Sequence, residues 1–414
     1  MEVDLPKAKT EGQKMDRVFI NTDDILKFVE HSLMSDRTDL LYDDTSIKEP
    51  DLFPTAAECE ASYPNPSGYS TGMEDSNLSG GSMLEALILL YNAYADQNTA
   101  GLAKRIANGL LKCAEQGTDG FLPRSVSPVD SKSHYKDSSR DQYTIFIYGM
   151  HRYLNSKLCT EKDKDRICRA ALNIAKRAER NVCPDTDFDM LQEDGSPSLV
   201  TKLWGESLGN HEVMRLPMIY MFAYEISGDS HWLGKYEGII DEALDRSLPM
   251  AMYWHLYALQ QMQVSTLLCY ELDKDKARKT RLLGIMEAVA KYAEGMASGL
   301  FSKLRDSDFY NMPQKNFRLC SSGENKGYKA MGMPCINPLH DDADDYFCLE
   351  DLADVLLVPA LAPGYTPCDM TVELFLKAYS LIDLKTHGRN LPVYFLDAYC
   401  VYRFRLTRVE LRTP

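Results

Sequence analysis

The sequence predicts an all-α fold in which six pairs of helices form a closed ring or a solenoid. Segments that are apolar nearly all round alternate with segments that carry a single apolar stripe, as inner and outer helices do. Leu-Pro dipeptides stand near the start of three inner segments, at Leu216-Pro217, Leu248-Pro249 and Leu391-Pro392, where proline is well tolerated. Two-helix units that cannot bury their faces alone must stack on one another.

The elements follow from this alternation. Residues 1–22 are predicted to be a loose arm, and residues 23–414 a single domain. The predicted outer helices cover residues 23–35, 100–116, 163–181, 231–246, 276–298 and 370–384. The predicted inner helices cover residues 82–96, 142–155, 212–227, 250–270, 344–357 and 391–405. A typical outer stripe is Leu102, Ile106, Leu110 and Leu111.

Four long connections lead from an outer to an inner helix, at residues 36–81, 117–141, 182–211 and 299–343. Long loops of this kind are usually functional or disordered. In an alternating ring they all emerge on one side, at the N-terminal ends of the inner helices. They would therefore form one funnel, into which the positive ends of the helix dipoles point.

Composition and charge exclude some classes of partner and indicate a cellular compartment. The net charge of −15 is spread without a basic block, which argues against nucleic acid as a partner. No apolar run approaches the roughly 18 residues of a membrane span. The polar N-terminus lacks the features of a secretory signal, and the eleven cysteines contain no Cys-x-x-Cys pair. We expect a cytoplasmic protein, or a periplasmic or secreted one if a signal peptide has been removed; protein partners are not indicated.

The first two loops carry the main candidates. Glu74 and Asp75 are adjacent carboxylates near Gly80-Gly81, where backbone can approach a ligand closely; the alternative is that they cap the next helix. In the second loop, Ser139 and Gln142 fit a capping box, with Asp141 at the second helical position. That account leaves several side chains to explain: Arg124, His134, Tyr135, Lys136 and Arg140.

The remaining loops add aromatic and acidic groups. Trp204 beside Glu206 suits a sugar subsite, since an indole packs on the C–H face of a sugar and carboxylates accept its hydroxyls. His211 precedes Glu212 and could act in acid–base chemistry or as a cap. The cluster around His340 and Asp342 fits no calcium-loop spacing, so we expect a funnel wall and not a metal site.

Motifs for nucleotides, zinc and serine nucleophiles are missing from the sequence. No cofactor is predicted. Trp254 lies in an inner segment, where it would either line the funnel floor or fill the core of the ring.

Three stretches resemble those of the six-hairpin glycosidase-like proteins, in particular of uncharacterised bacterial members: Gly72-Met73-Glu74-Asp75, Asp119-Gly120-Phe121-Leu122-Pro123-Arg124 and Ser138-Ser139-Arg140-Asp141-Gln142-Tyr143. The resemblance covers about residues 24–405 and is architectural more than motif-specific. It implies an (α/α)6 toroid of six inner and six outer helices and a carbohydrate-active role, commonly glycoside hydrolysis, with relatives that act on uronic acids. Fold-level analogy does not fix the reaction.

The leading hypothesis is a glycoside hydrolase acting on oligosaccharides through paired carboxylates. Asp141 is one catalytic candidate, Glu74 or Asp75 its counterpart, and Glu206 a reserve. The substrate-binding candidates are Arg124, His134, Lys136, Arg140, Gln142, Tyr143, Trp204, His211, Trp254, His340 and Asp342. The positive groups among them hint at a uronate or another anionic sugar.

Two alternatives stay open. A polysaccharide lyase or sugar epimerase would use His134-Tyr135 or His211 as base. A non-catalytic toroid would bind a glycan or a protein in the same funnel.

Overall fold

A computed structural model describes residues 22–69, 71–198, 200–248, 255–303, 316–319, 343–385 and 389–405, with the backbone alone at residues 46, 303, 319, 343–350 and 405. The described chain is all-α: it contains helices and three isolated bridges but no strand. Within these ranges, no helix has both the length and the continuous apolar run that crossing a bilayer requires.

The α-helices are numbered here in chain order. They are α1 (Thr22–Phe28), α2 (Ala56–Glu60), α3 (Ser76–Tyr94), α4 (Gln97–Ala114), α5 (Arg140–Leu154), α6 (Glu161–Asn181), α7 (Arg215–Ser227), α8 (Ser230–Glu237), α9 (Ile240–Arg246), α10 (Leu256–Leu272), α11 (Lys276–Lys303), α12 (Ala343–Leu361), α13 (Asp369–Tyr379) and α14 (Leu391–Cys400). A π-helical turn extends α1 over Val29–Leu33 and α14 over Val401–Arg405.

Each predicted helix has a counterpart, but some bounds differ. Helix α3 begins at Ser76 and not at residue 82, because Gly80 and Gly81 continue the helix and do not belong to the loop. The predicted helix 231–246 is two helices, α8 and α9, which are separated at Gly238 and Ile239. Helix α2 was not predicted; its start is fixed by a capping box between Thr55 and Glu58.

The apolar-all-round helices pack against one another. Helix α3 contacts α5, and contacts continue from α5 to α7, from α7 to α10, from α10 to α12 and from α12 to α14. The last of these helices, α14, also packs against the first, α3. Their side chains are buried on nearly every face, as in α10, where the described residues from Ala258 to Cys269 are all buried.

The striped helices cover this core. Helix α4 packs on α3, α6 on α5 and α7, α8 on α7, α11 on α10 and α12, and α13 on α12. The predicted stripe of α4 is buried at Leu102, Ile106, Leu110 and Leu111. Helix α6 starts with a capping box between Thr160 and Asp163, and most of its charged residues lie on the outer face, although Arg177 is buried.

Helices α3 and α5 approach each other closely at two glycines. A Cβ placed on Gly81 would lie 2.6 Å from the carbonyl oxygen of Ile145, and one on Gly149 would lie 2.7 Å from the Cα of Gly81. No side chain fits at that distance. The sequence hypothesis that Gly80-Gly81 lets backbone approach a ligand is therefore wrong for Gly81, which lets one helix approach another.

The long loops contact one another. Loop 36–81 meets loop 117–141 through the Ser67 hydroxyl, which donates to Asp137 at 2.9 Å. Loop 117–141 meets loop 182–211 through His134 and Glu193, 2.9 Å apart. The described part of loop 299–343 meets loop 36–81, since Arg318 pairs with Glu58. Within the described residues, each of these four loops therefore contacts at least one of the others.

A carboxylate pair as candidate active site

Two carboxylates lie at the N-terminal ends of adjacent buried helices. Asp75 immediately precedes α3, and its side chain makes no capping hydrogen bond to that helix. Asp141 is the second residue of α5. About a third of each side chain is exposed, 37% for Asp75 and 29% for Asp141. Both candidates can therefore meet a solute, although protein surrounds them closely.

Gln142 and Arg124 hold Asp75 in place. The Gln142 amide donates to Asp75 Oδ1 at 2.8 Å and to the Glu74 carbonyl at 3.0 Å. The Arg124 guanidinium donates to the same carbonyl at 3.1 Å, lies 3.4 Å from Asp75 Oδ1 and reaches the Tyr69 hydroxyl at 2.6 Å. Gln142 and Arg124 are buried, so these contacts fix the carboxylate against a rigid wall.

The predicted capping box at the start of α5 is wrong. Ser139 occupies the cap position, but its side chain accepts no hydrogen bond from the helix. Gln142 turns towards Glu74 and Asp75 instead. The physical reason is that α3 starts beside α5 and offers a carbonyl and a carboxylate, and a hydrogen bond to a charged acceptor is stronger than one to a backbone cap.

Asp141 belongs to a second charged group. Arg215, which is buried at the start of α7, donates through Nη1 to Asp141 Oδ1. The neighbouring Arg140 pairs with Glu212, whose other oxygen accepts the backbone N–H of Gly209 at 3.1 Å. Asp141 therefore joins α5 to α7, as Asp75 joins α3 to α5.

The surroundings of Asp75 and Asp141 shift the pKa values of their carboxyl groups in opposite directions. Burial raises the pKa of Asp75, and the nearby Asp141 raises it further, while Arg124 opposes the shift. Burial also acts to raise the pKa of Asp141, but Arg215, Arg140 and Arg124 outweigh it and leave the pKa below its ordinary value. Asp75 thus keeps its proton to higher pH than an ordinary aspartic acid, and Asp141 stays ionised to lower pH.

Asp43 is part of the site and was not predicted from the sequence. Its carboxylate accepts the backbone N–H groups of Glu74 at 2.7 Å and Asp75 at 3.1 Å. Burial raises the pKa of Asp43 well above its usual range, and the charges of Asp75 and Glu74 add to the shift. It stands in an irregular loop with no helical or motif signal, so nothing in the sequence distinguished it from other loop acids.

His211 lies beside the carboxylates and is uncharged at neutral pH. Burial lowers the pKa of His211 to about 4; Glu212 opposes the shift, whereas Arg215 and Arg140 add to it. Its ring lies 3.6 Å from Glu212 and is only 3% exposed. The imidazole can exchange a proton with a neighbouring group but presents little surface to a solute.

The positive candidates are paired with acids of the protein itself. Arg124 pairs with Asp75 and Arg140 with Glu212. His134 pairs with Glu193, and Lys136 with Asp194 at 2.7 Å. Their charges are therefore balanced within the protein, and the sequence-based argument for an anionic sugar loses its surplus of positive groups.

Several buried polar atoms near the pair have no hydrogen-bond partner among the described residues: Ser139 Oγ, Gln142 Oε1, Arg124 Nε and Arg215 Nε. Buried polar atoms are nearly always satisfied by protein or by ordered water. The group therefore has capacity to bind water or a polar ligand beside the two carboxylates.

Other candidates lie elsewhere. Trp204 and Glu206 line a separate surface recess. Tyr143 is fully buried, and its hydroxyl accepts the backbone N–H of Leu122 at 3.2 Å, which gives it a structural role. Trp254, His340 and Asp342 lie outside the described residues. Among the described residues, no three His, Cys, Asp or Glu side chains group as metal ligands would.

Comparison of the sequence with protein-family models gives no match, and comparison with curated proteins gives none either.

Proposed function

We propose that the protein is a glycoside hydrolase that acts on oligosaccharides, with Asp75 as general acid and Asp141 as the ionised carboxylate. The observation that carries the proposal is the pair itself. Two partly accessible carboxyl groups stand at adjacent helix ends, and their surroundings move their pKa values apart. Glycosidases need one protonated and one ionised carboxyl group, and opposite environments are how proteins provide them.

The chemistry follows from these two states. Asp75 donates its proton to the glycosidic oxygen as the bond to the anomeric carbon breaks. As that bond breaks, Asp141 either takes a proton from a water that attacks the anomeric carbon or attacks this carbon itself. In the second case, a water then hydrolyses the glycosyl-enzyme ester, with the Asp75 carboxylate as base. The separation between the carboxyl groups selects the route, at about 5–5.5 Å for retention and about 6.5–9.5 Å for inversion.

We also propose that the helices form an (α/α)6 toroid. The contacts between helices support this fold, because the six buried helices contact one another in chain order and the last, α14, contacts the first, α3. The striped helices α4, α6, α11 and α13 cover them on the outside. A linear solenoid would leave its first and last repeats apart. The resemblance to six-hairpin glycosidase-like proteins agrees with this arrangement.

Product analysis tests the activity. The protein is incubated with a panel of neutral and uronate-containing oligosaccharides, and the products are separated by chromatography. We expect shorter sugars with a new reducing end, and a large fall in activity in Asp75→Asn and in Asp141→Asn. Oligosaccharides that are bound but recovered intact would overturn the proposal in favour of a non-catalytic binding protein.

One observation favours a second candidate, a lyase or epimerase with His211 as base. Its imidazole is neutral, as a base must be before it takes up a proton, and a substrate would have to reach the small exposed part of its ring. The other predicted base, His134, is engaged with Glu193 and Lys132. A lyase forms an unsaturated sugar that absorbs in the ultraviolet. Such a product, lost in His211→Ala and retained in Asp141→Asn, would establish this reaction instead.

A further inference from the structure

We infer that the recess beside Trp204 binds one unit of an uncharged oligosaccharide, as an outer subsite next to the carboxylate pair. The assignment of the recess as an outer subsite rests on the proposed hydrolase function. The sugar-binding surface itself is argued from the lining of the recess, its rigidity, its charge and its position.

The recess has the size and lining of a sugar site. Its volume is about 500 Å³, within the range of small-molecule pockets. Trp204 and Phe188 provide aromatic surface, and Asp187, Glu206 and Glu242 provide carboxylate oxygens. Aromatic rings pack against the C–H face of a sugar, and carboxylates accept hydrogen bonds from its hydroxyl groups.

The aromatic wall is held rigidly. The Arg246 guanidinium lies over the indole of Trp204, 5.1 Å from the ring centroid, and donates to the Gly205 carbonyl at 2.6 Å. Gly205 has a positive φ of 97°, and a Cβ there would lie 2.9 Å from the Phe188 ring. Glycine thus permits both the turn and the close approach of Phe188. A fixed surface loses little conformational entropy when it binds.

The charges of the recess disfavour an acidic sugar. Asp187 pairs with Lys202 at 2.5 Å, and Glu242 pairs with Arg246 at 3.1 Å. Glu206 is exposed and forms no ion pair within the described part of the chain. The recess therefore carries one carboxylate in excess, which would repel a uronate. An uncharged sugar avoids this repulsion and can still donate its hydroxyl protons to Glu206.

A short segment links the recess to the carboxylate pair. The Lys202 carbonyl, two residues before Trp204, accepts a hydrogen bond from Arg140 at 3.4 Å, and Arg140 precedes Asp141. On the other side of Trp204, the Gly209 N–H donates to Glu212, the partner of Arg140. Since two residues span at most about 7 Å, the Trp204 backbone lies near the group that surrounds Asp141.

Titration calorimetry of the intact chain tests the inference. The probes are cellotetraose, maltotetraose and xylotetraose, with tetragalacturonate as the acidic counterpart. We expect at least one neutral tetrasaccharide to bind, and Trp204→Ala to weaken it about tenfold, as expected when about 1.4 kcal/mol of aromatic contact is lost. Tyr94→Ala is the matched control, since Tyr94 is an exposed aromatic residue outside the recess. This variant should bind the neutral tetrasaccharide with the same affinity as the wild type.

Glu206→Gln is a second variant at an exposed position, where folding is not at risk. It removes the excess charge, so binding of tetragalacturonate should improve relative to the neutral tetrasaccharides. Equal affinity of Trp204→Ala and wild type, failure of all three neutral probes, or a wild-type preference for tetragalacturonate would each overturn the inference.

Different results would overturn the hydrolase proposal and the inference about the recess. If the wild type binds a neutral tetrasaccharide through Trp204 but never cleaves it, the hydrolase proposal fails and sugar binding at the recess stands. If the wild type cleaves a tetrasaccharide and Trp204→Ala has the same KM and affinity, the recess inference fails alone.

Discussion

The side-chain amide of Gln142 donates a hydrogen bond to Asp75 Oδ1 at 2.8 Å, across the gap between the starts of helices α5 and α3. The same nitrogen also donates to the Glu74 carbonyl. Because Asp141 directly precedes Gln142 in the chain, this contact sets one carboxylate of the candidate pair relative to the other.

Replacing either carboxylate should abolish most of the proposed hydrolysis. Asp75→Asn removes the proton donor, and Asp141→Asn removes the base or nucleophile. Loss of a general acid or base typically lowers the rate by about 10²–10⁴-fold. We expect that fall in kcat on any oligosaccharide that the wild type cleaves. Asp119→Asn is the control, since Asp119 is an exposed carboxylate that pairs with Arg180; a similar fall there would contradict the assignment.

The same two substitutions should change stability in opposite directions at neutral pH. The folded-state pKa of Asp75 is raised, so its ionisation opposes folding once the pH exceeds the unfolded value, near 3.9. Asp75→Asn cannot ionise and should raise Tm at pH 7. The gain should shrink as the pH falls towards about 4.

The ionisation of Asp141 stabilises the folded protein, which is the opposite of the effect of Asp75. Its folded-state pKa is lowered, so its contribution to stability is present above the unfolded pKa and is lost as the pH falls through the folded pKa. Asp141→Asn also leaves the buried Arg215 without its charged partner. We expect a loss of about 1–3 kcal/mol at pH 7. Melting curves between pH 3 and 8 measure both effects, and shifts of the same sign in the two variants would refute the assigned environments.

A methyl group at Gly81 should destabilise the protein. Its Cβ would lie 2.6 Å from a backbone oxygen of α5, which cannot move aside as a side chain can. We expect Gly81→Ala to lower the free energy of unfolding by about 1–3 kcal/mol, the usual cost of overpacking. Gly101→Ala in α4 is the matched control: it has no atom within 4 Å of its Cβ, so alanine should stabilise that helix by about 0.5–1 kcal/mol. Urea unfolding compares the two.

A double-mutant cycle can separate a closed ring from a solenoid. The Asn390 side chain, at the start of α14, donates to Ser79 Oγ in α3 at 2.8 Å, and both residues are buried. In a closed ring, Ser79→Ala and Asn390→Ala should show a coupling energy of about 0.5–3 kcal/mol. In an open solenoid these repeats would stand far apart, and the two effects would simply add. The cycle is measured by urea unfolding of the four proteins.

Helix periodicity predicted the fold better than it predicted the site. The alternation of all-round and striped segments located the helical segments other than α2, because the spacing of apolar residues shows whether one face or every face of a helix is buried. The start of α3 was missed because Gly80-Gly81 looks like a loop until α5 is present to pack on it. The role of Gln142 was missed for the same reason, since its acceptors come from residues 74 and 75.

The candidate pair was partly predictable. Asp141 was chosen from its position at a predicted helix start, and Asp75 as one of two adjacent carboxylates flanked by glycines in a long loop. The structure adds the contacts that these groups make with distant parts of the chain. Asp141 accepts a hydrogen bond from Arg215, and the backbone N–H of Asp75 donates one to Asp43. Both lie in other loops or helices, so these contacts depend on the tertiary fold and cannot be read from local spacing.

The glycine contact between α3 and α5 also has a consequence for stereochemistry. Gly81 lies six residues beyond Asp75 and Gly149 eight residues beyond Asp141, or about 9 and 12 Å along their helices. How closely the helices approach there helps to set how far apart the carboxylates stand. In the proposed hydrolase, a single methyl group at this contact would therefore shift the two carboxylates relative to each other without touching the substrate. A difference of about 1–4 Å in their separation distinguishes retaining from inverting enzymes.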